Sequence, residues 1–358
     1  MKIKNCIIKK HILKFKFLAG TSRGVLKEKE TWFVKLIGDN NEFGIGEIGP
    51  LKGLSIDDRP DLEKCIDSVC HELEGKEIPQ KEALLDWLKS NIDQDFPSIR
   101  FGVETAILDL LTKGNMKVFD CDLIDSHMPI PINGLVWMGD ESFMIEQIEA
   151  KLRSGFDCIK MKIGAIDFET EIKLLKSIRD RYTKDEIVLR VDANGAFSPR
   201  DALNKLEILS SLDIHSIEQP IKAGQIEEMS NLCNKTPLPI ALDEELIGID
   251  KKEEKAILLD RIQPQFIILK PTLVGGNLSA GEWIELAEER NTGWWMTSAL
   301  ESNVGLNAIA QYTSYLHTAM PQGLGTGQLY YNNIESPLVI EQGKLKYDHS
   351  LEWNNPFD

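Results

Sequence analysis

The chain has 358 residues, of which 42% are hydrophobic and 27% are charged, and this is the composition of a soluble globular protein. The length exceeds that of a single ordinary core, so we expect two domains. The formal net charge of −16 excludes nucleic acids and anionic membrane surfaces as partners, because both would repel it.

Two features of the sequence indicate the compartment. Lysines interrupt every apolar run near the N-terminus before the core of a signal peptide can form, and no stretch is long enough to span a membrane. The cysteines are scattered without a C-x-x-C pair, which predicts reduced, mostly packed thiols. They are Cys6, Cys65, Cys70, Cys121, Cys158 and Cys233. We therefore predict a cytoplasmic protein.

The first third of the chain combines strand and helix patterns. Alternating apolar residues predict strands at 7–17, 31–37 and 42–48, and helical periodicity predicts helices at 61–73, 81–90 and 99–111. Strands followed by helices predict a small α+β domain. Pro129 and Pro131 mark a boundary behind it.

From residue 130 onwards, short apolar runs alternate with helical segments. The runs lie at residues 131–136, 158–163, 187–191, 215–217, 239–242, 266–269 and 294–296. Two helices have clear starting signals, namely Asp167 and the pair Ser198-Pro199. Such repeats predict parallel strands joined by helical crossovers, in either a closed barrel or an open doubly wound sheet.

The spacing of the predicted strand ends favours the barrel. These positions are 25 to 30 residues apart, and they are Gly134, Lys162, Asp192, Glu218, Asp243, Lys270, Ser298 and, with a weaker signal, Gly325. Eight near-equal units match an eight-stranded barrel with its active site at the carboxyl ends of the strands. We therefore predict an α/β protein with an α+β domain at 1–125 and a (β/α) barrel at 126–328. A tail at 329–358 would fold back onto the first domain.

Three carboxylates, Asp192, Glu218 and Asp243, fall at the ends of successive predicted strands, so a barrel would bring them together. Any one of them alone would be interpreted as a helix cap or a solvated loop residue. Their common register favours a metal site instead, with Asn194 and Glu244 beside it. Oxygen ligands without an accompanying histidine or cysteine favour Mg²⁺ or Mn²⁺ over zinc.

Lysines accompany these carboxylates. Lys160 and Lys162 are two apart on one predicted strand, so their side chains point the same way. Such a pair usually marks a solvated edge, but inside a barrel an unpaired ammonium is costly. An adjacent cation lowers the pKa of a lysine, which would make one of the two a base near neutral pH. Lys270 lies four units later, across the barrel mouth.

This set of residues suits removal of a proton from a carbon next to a carboxylate. The resulting enediolate gains negative charge, which a metal ion on the carboxylate oxygens stabilises. One lysine would take the proton and the opposite ammonium would stabilise the anion. The sequence therefore predicts a metal-dependent enzyme for a small-molecule carboxylate substrate.

The same residues resemble the enolase superfamily, in its muconate-lactonizing-enzyme-like branch, over nearly the whole chain. The shared segments are Lys160-Met161-Lys162, Asp192-Ala193-Asn194, Ile217-Glu218-Gln219-Pro220, Leu242-Asp243-Glu244 and Lys270-Pro271. The resemblance implies a TIM-like (β/α)₇β barrel with an N-terminal α+β capping domain, and Mg²⁺ held by the three carboxylates. A homo-oligomer is ordinary for this architecture.

Within the superfamily, the chain looks most like the dehydratases of menaquinone biosynthesis. The supporting segments are Thr21-Ser22-Arg23-Gly24, Asn133-Gly134-Leu135-Val136-Trp137-Met138, Arg190-Val191-Asp192-Ala193-Asn194-Gly195, Ser298-Ala299-Leu300-Glu301-Ser302 and Gly323-Leu324-Gly325-Thr326-Gly327. The resemblance implies syn dehydration of 2-succinyl-6-hydroxy-2,4-cyclohexadiene-1-carboxylate to 2-succinylbenzoate. Lys162 would be the general base and the acid that assists the leaving hydroxide, and Lys270 would stabilise the enediolate.

The resemblance also implies a set of substrate contacts. They are Lys160, Arg190, Asn194, Ser298, Glu301, Ser302, Gly325, Thr326, Ser22 and Arg23. For Arg190, an ion pair within the barrel is an equal alternative. The loops at 21–24 and 49–54 would close over the site and exclude water, although ordinary turn chemistry explains their composition equally well.

Two other functions stay open. A racemase of N-acylamino acids or an epimerase of dipeptides would use the same opposed lysines for exchange on either face of a carbon. A dipeptide's ammonium would need a carboxylate at the last strand end, and residues 323–328 contain none, so N-acyl substrates are the nearer alternative. The other is a barrel that binds metal and ligand without turnover, which would have little use for the two lysines.

Overall fold

The computed structural model describes residues 1–21 and 24–358. The chain opens with an antiparallel sheet in the order β1-β2-β3, whose strands are β1 (Ile3–Thr21), β2 (Gly24–Gly38) and β3 (Phe43–Ile48). The predicted meander is confirmed, but the first two strands are longer than predicted. They continue because β1 and β2 pair from Ile3 with Gly38 to Thr21 with Gly24, with two register shifts between.

Helices follow this sheet in the chain, and the first and third of them pack on it. They are α1 (Leu62–Leu73), a 3₁₀ turn (Lys81–Ala83), α2 (Leu84–Asn91), α3 (Pro97–Leu111) and the short α4 (Asp122–Asp125). The three predicted helices are confirmed within a few residues at their ends. Helix α3 is buried along nearly its whole length and packs directly on β3. This close approach requires glycine, because a side chain at Gly44 or Gly46 would collide with backbone carbonyls of α3.

The expectation that all six cysteines are free is wrong for one pair. Cys6 on β1 and Cys70 on α1 form a disulfide, with their Cα atoms 5.5 Å apart. The other four cysteines are free. Sequence spacing did not indicate the pair, because its members are 64 residues apart and meet only through the packing of the helix on the sheet.

The second part of the chain alternates strands and helices. Its elements are β4 (Ile130–Pro131), β5 (Gly134–Val136), α5 (Glu141–Arg153), β6 (Cys158–Lys162), α6 (Phe168–Arg179), β7 (Val188–Asp192), α7 (Pro199–Ser210), β8 (Ser216–Glu218), α8 (Ile226–Lys235), β9 (Ile240–Leu242), a 3₁₀ turn (Glu244–Leu246), α9 (Lys252–Ile262), β10 (Phe266–Leu269), α10 (Pro271–Val274), α11 (Asn277–Glu288), β11 (Gly293–Met296) and α12 (Asn303–Tyr315). Strands β5 to β11 form one parallel sheet in sequence order. The predicted helix starts are confirmed, since Asp167 accepts a hydrogen bond from the Thr170 amide and Ser198 from the Asp201 amide.

The curled sheet closes through residues 322 and 323. Gln322 bridges to Ile132, and Gly323 bridges to Thr297 just beyond β11, both in parallel orientation. The predicted α/β barrel is confirmed, but a full eighth strand ending at Gly325 is not formed. Its place is taken by two isolated bridges, because the segment offers one proline and two glycines and little side-chain surface to pair. Gly134 also begins its strand instead of ending it.

The C-terminal residues contact both parts of the molecule. The Lys16 amide of β1 donates to the Leu329 carbonyl, and the Tyr331 amide donates to the Lys14 carbonyl. Further on, β12 (Leu338–Glu341) and β13 (Lys344–Tyr347) form a hairpin whose second strand pairs with β4. The domain boundaries at 125 and 328 stay a prediction. No helix in the described ranges is both long and apolar enough to cross a membrane.

A buried carboxylate links α3 to the barrel and gives a testable pH dependence. Glu104 is fully buried and accepts hydrogen bonds from the Asn277 and Leu278 amides at the start of α11. Burial outweighs these bonds and raises the pKa of Glu104 to about 8. An unfolded glutamate has a pKa near 4.3, so between these values the folded chain holds a proton that the unfolded chain has lost. The contribution of Glu104 to stability therefore falls as the pH rises from about 5 to about 8.

We expect Glu104→Gln to remove this pH dependence. The difference in melting temperature, variant minus wild type, should rise from pH 5.5 to pH 8.5, and thermal unfolding followed by circular dichroism measures it. Glu63→Gln, at an exposed position in α1, is the matched control and should give a constant difference. A constant difference for Glu104→Gln as well would show that Glu104 is ionised in the folded protein throughout this range.

Candidate active site

The parallel strands bring the predicted charged residues to one mouth of the barrel. Lys162, Asp192 and Glu218 are the last residues of β6, β7 and β8, and they are direct neighbours across the sheet. Asp243 and Lys270 follow immediately after β9 and β10. All five side chains are buried, as is Lys160. The repeat length of the strand–helix units therefore gathers residues that are spread over more than a hundred positions.

Ammonium and carboxylate groups alternate within this cluster. Lys162 Nζ donates to Asp192 Oδ2 at 2.8 Å and to Asn194 Oδ1 at 2.7 Å. Lys160 Nζ lies 3.1 Å from Asp192 Oδ2 and also pairs with Glu218. On the opposite side, Lys270 pairs with Asp243 and lies 3.8 Å from Glu218 Oε1. The carboxylates thus lie between two sets of lysines, as the sequence predicted.

The electrostatics of the cluster follow from burial and mutual pairing. Burial disfavours charge on Asp192, but the ammonium groups of Lys160, Lys162 and Lys270 hold the pKa of its carboxyl well below the usual range. Burial and the Asp192 carboxylate raise the pKa of Glu218. Burial opposes charge on Lys270 too, yet the carboxylates around it raise its pKa.

The sequence predicted a lowered pKa for one member of the lysine pair, and Lys160 is not that member. Its proximity to a second lysine predicted a lowered pKa within the pair. Burial does oppose its charge, but Asp192 and Glu218 outweigh both burial and the nearby lysines, and the pKa of Lys160 is raised. Lys160 therefore stays a cation that pairs with two carboxylates.

The three carboxylates have the donor chemistry of a Mg²⁺ site. Glu218 Oε1 is buried and accepts no hydrogen bond from the described residues, which leaves an anionic oxygen for a cation. In the arrangement seen here, however, no three acidic, histidine or cysteine side chains among residues 1–21 and 24–358 come together as a metal cluster. In this arrangement the ammonium groups of Lys160 and Lys270 pair with two of these carboxylates, Glu218 and Asp243. An ion held by Asp192, Glu218 and Asp243 would take over part of this charge compensation.

Two strand ends continue into the left-handed backbone region. Asn194 has φ 43° and Gln219 has φ 41°, a conformation that asparagine tolerates better than most residues. The turn lets the Asn194 side chain accept from Lys162 and donate to Glu244 Oε1 at 3.1 Å. Gln219 accepts from the Asp243 amide at 3.2 Å. These polar side chains brace the strand ends that carry the charged cluster.

A cavity of about 590 Å³ opens above the charged cluster. Of the residues predicted from the sequence, Lys160, Lys162, Asp192, Asn194, Lys270, Ser298, Gly325 and Thr326 line it. The segment predicted as a closing loop contributes Leu51, Lys52 and Gly53. Ser22 and Arg23 lie outside the described residues. Among the described residues, Asp192 is the one carboxylate in the cavity wall.

Three predicted substrate contacts do not line the cavity. Arg190 is buried within the barrel, 4.1 Å from the centre of the Trp295 ring, and donates to the Pro321 carbonyl at 2.8 Å. Glu301 is buried behind the cavity wall, where it accepts hydrogen bonds from Thr272 and Ser298. Ser302 caps α12 and donates to Glu47 of β3. These three residues hold the cavity walls in place. Arg190 lies inside the barrel, as its alternative interpretation expected, but it stacks on Trp295 instead of forming an ion pair.

Several lining residues were missed by sequence reasoning. The apolar side chains of Phe17, Leu26, Trp137, Leu300 and Leu329 line the upper cavity. They come from the first sheet and from loops beyond strand ends, and an apolar residue there looks the same as a core residue. The cavity thus combines an apolar roof with a charged floor, which is suited to an anionic ligand with a hydrocarbon body.

A parallel barrel with opposed lysines and three carboxylates at its strand ends defines the class of enolase-type barrel proteins. Residues 144–349 match the family described as enolase C-terminal domain-like. The chain is 48% identical over 353 residues to the o-succinylbenzoate synthase of Desulfotalea psychrophila, covering 92% of this chain and 95% of that protein. The chain therefore belongs to the enolase C-terminal domain-like family.

Two further comparisons support the same placement. The crystal structure of MenC from Desulfotalea psychrophila superposes with a TM-score of 0.86 and 43% identity, covering 96% of this chain and all of that one. The N-succinyl-L-Arg/Lys racemase of Bacillus cereus is 25% identical over 294 residues, covering 80% of this chain and 77% of that protein. The relatives of this chain thus include an o-succinylbenzoate synthase and a racemase.

Proposed function

We propose that the protein catalyses the o-succinylbenzoate synthase reaction, a hydro-lyase step of menaquinone biosynthesis. The substrate is 2-succinyl-6-hydroxy-2,4-cyclohexadiene-1-carboxylate, and the products are 2-succinylbenzoate and water. The observation that carries the proposal is the pair of opposed lysines, Lys162 and Lys270, around buried carboxylates in a chain that is 48% identical to a synthase with this name.

Asp192, Glu218 and Asp243 would hold the cofactor Mg²⁺, for which Mn²⁺ could substitute because both accept oxygen ligands. When bound, the ion would stabilise the negative charge that develops on the ring carboxylate of the substrate. The lysines that now compensate Asp192 and Glu218 would then be more available to the substrate.

The chain's own residues account for the proton transfers. Lys162 Nζ, as the general base, takes the proton from the ring carbon next to the carboxylate, and the C–H electrons pass into the enediolate. The C–O bond to the neighbouring hydroxyl then breaks as the ring becomes aromatic. The Lys162 ammonium returns its proton to the departing hydroxide, which leaves as water, so the base is regenerated. Lys270 and Lys160, kept as cations by their carboxylate partners, stabilise the enediolate.

The cavity wall is consistent with this substrate. The apolar roof excludes water from the enediolate, and Asn194 holds Lys162 Nζ at the wall through its side-chain oxygen. A substrate with a free ammonium needs an anionic partner in the cavity wall. Among the described wall residues, Asp192 is the one carboxylate, and it is already paired with Lys160 and Lys162. Dipeptides are therefore poor candidates, whereas an N-acylamino acid has no ammonium to satisfy.

The test is direct conversion. With Mg²⁺, we expect loss of the cyclohexadiene absorbance and formation of 2-succinylbenzoate, and the chirality of N-succinylamino acids measured in parallel gives the competing racemisation rate. Racemisation faster than dehydration would assign the racemase function, which the same two lysines permit and which the Bacillus cereus relative is named for. Ligand binding without either reaction would assign a non-catalytic barrel.

The compartment and assembly belong to the same proposal. We propose a cytoplasmic location because the proposed substrate is a small dicarboxylate. A homo-oligomer is ordinary for this architecture, and light scattering of the purified protein measures whether one forms.

A further inference from the structure

The barrel wall is thin where its first and last segments meet. The pairing there is the isolated bridge between Ile132 and Gln322, in which the Asn133 amide donates to the Gln322 carbonyl at 2.9 Å and the Gln322 amide donates to the Pro131 carbonyl at 2.8 Å. Above this bridge stands Gly325, and the atoms nearest to a side chain built there are 3.5 Å away. The cavity continues past this point to an outer recess lined by Lys151, Ser154, Phe156, Ile340 and Gln342.

Lys151 is the charged group of the outer recess. It lies in the last turn of α5, half-buried, and its methylene groups pack against Gly134, where a larger residue would displace them. Its Nζ is 5.1 Å from the centre of the Phe156 ring. Gly134 and Phe156 thus fix the position of the lysine stem beside the thin wall.

The ammonium of Lys151 has no anionic partner within residues 1–21 and 24–358. Burial lowers its pKa, and no carboxylate acts in the opposite direction. This separates it from the lysines of the cavity floor, each of which pairs with Asp192, Glu218 or Asp243. It also differs from Lys52, the remaining lysine of the wall, which is exposed to water. A half-buried cation without a counterion, in a recess continuous with the active cavity, is suited to a ligand carboxylate.

We propose that Lys151 binds the terminal carboxylate of a flexible acyl arm, which passes from the charged floor through the thin wall to the outer recess. The proposal rests on the proposed function, whose substrate carries a succinyl arm in addition to its ring carboxylate. The ring carboxylate lies at the strand ends, and the arm carboxylate pairs with the Lys151 ammonium. Among the described lysines of the cavity wall, Lys151 is the one that is sheltered from water and has no anionic partner. Lys151 is therefore a specificity residue for dicarboxylates and takes no part in proton transfer.

The test separates binding from chemistry with Lys151→Met, which keeps the length of the stem and removes the charge. With the succinyl substrate and Mg²⁺, we expect KM to rise by about 10- to 100-fold, the usual loss for a hydrogen bond to a charged group, while kcat changes by less than about threefold. Titration calorimetry with 2-succinylbenzoate should show a matching rise in Kd. Lys151→Arg should recover most of the affinity.

A second ligand shows whether the arm carboxylate is the group recognised. With 2-butanoylbenzoate, whose arm ends in a methyl group, wild type and Lys151→Met should have equal Kd values. The matched control is Lys205→Met, because Lys205 is also half-buried over phenylalanine rings, 4.3 Å from Phe197, but lies on α7 away from the cavity. It should leave every constant unchanged.

The outcomes distinguish the two proposals. If wild type does not dehydrate the substrate, the proposed function fails, and the calorimetric comparison still decides the role of Lys151. If wild type is active and Lys151→Met binds 2-succinylbenzoate as tightly as wild type does, the subsite is overturned. An equal loss for both ligands would also overturn it, because that result means general disruption of the wall.

Discussion

Replacing Lys162 with alanine is expected to lower kcat for dehydration by about 10³-fold, within the range for loss of a general acid–base group. The effect is large because one Nζ both removes the ring proton and returns it to the leaving hydroxide. Rapid-quench or absorbance assays at saturating substrate measure kcat. The Kd for 2-succinylbenzoate should change little, because the Lys160 and Lys270 ammonium groups remain in place.

The fold of the Lys162→Ala variant needs an independent check. Asp192 keeps its contact with Lys160 at 3.1 Å, so the buried carboxylate is not left unpaired. The variant should therefore unfold within a few degrees of the wild type. Lys205→Ala is the control for loss of a half-buried lysine elsewhere in the barrel. A Lys162→Ala enzyme with kcat within tenfold of the wild type would exclude Lys162 as the base.

Removing the metal is the second large effect. EDTA should lower the dehydration rate by at least about 10²-fold, and excess Mg²⁺ should restore it, because the developing charge would lose its main stabilising partner. Glu218→Gln should give a similar loss that Mg²⁺ does not reverse. The substitution keeps the shape of the side chain but removes one of the three charges proposed to hold the ion.

A readout other than activity tests the same site. Mg²⁺ that binds only the folded protein raises its melting temperature, and the rise should disappear in Glu218→Gln. Glu171→Gln is the control, because Glu171 is an equally buried carboxylate that accepts from the Gly164 amide, away from the cavity wall. Its Mg²⁺-dependent rise should persist. An equal rise in Glu218→Gln would place the ion somewhere other than the three strand ends.

The charged cluster was predictable from the sequence because it follows the repeat. A strand–helix unit returns the chain to the same mouth of the barrel every 25 to 30 residues, so Lys162, Asp192 and Glu218 share a level once the barrel is assumed. Whether a strand residue reaches the cavity is a separate question. Arg190 points the same way as Asp192 and is level with Lys160, which lines the cavity, but its guanidinium stacks on Trp295 and donates to the Pro321 carbonyl instead.

The roof and the closure of the barrel were not predictable in the same way. Phe17 and Leu26 reach the cavity because the first sheet packs over the barrel mouth, and no periodicity connects them to the strand ends. Glu301 resembled a strand-end ligand by position, yet it is turned behind the wall by hydrogen bonds with Thr272 and Ser298. Such outcomes depend on tertiary packing, which the order of residues indicates only indirectly.

The two-bridge closure around Gln322 and Gly323 has a consequence for synthesis of the chain. Until these residues have left the ribosome, β5 and β11 have no partner on their outer sides, and the nascent sheet exposes two parallel edges. Because the segment that pairs with both edges follows β5 to β11 in the sequence, the barrel can close only after all seven of these strands have been synthesised. Premature termination shortly before residue 321 would release a protein that keeps β5 to β11 but lacks β12 and β13, and we expect it to self-associate through the two unpaired edges.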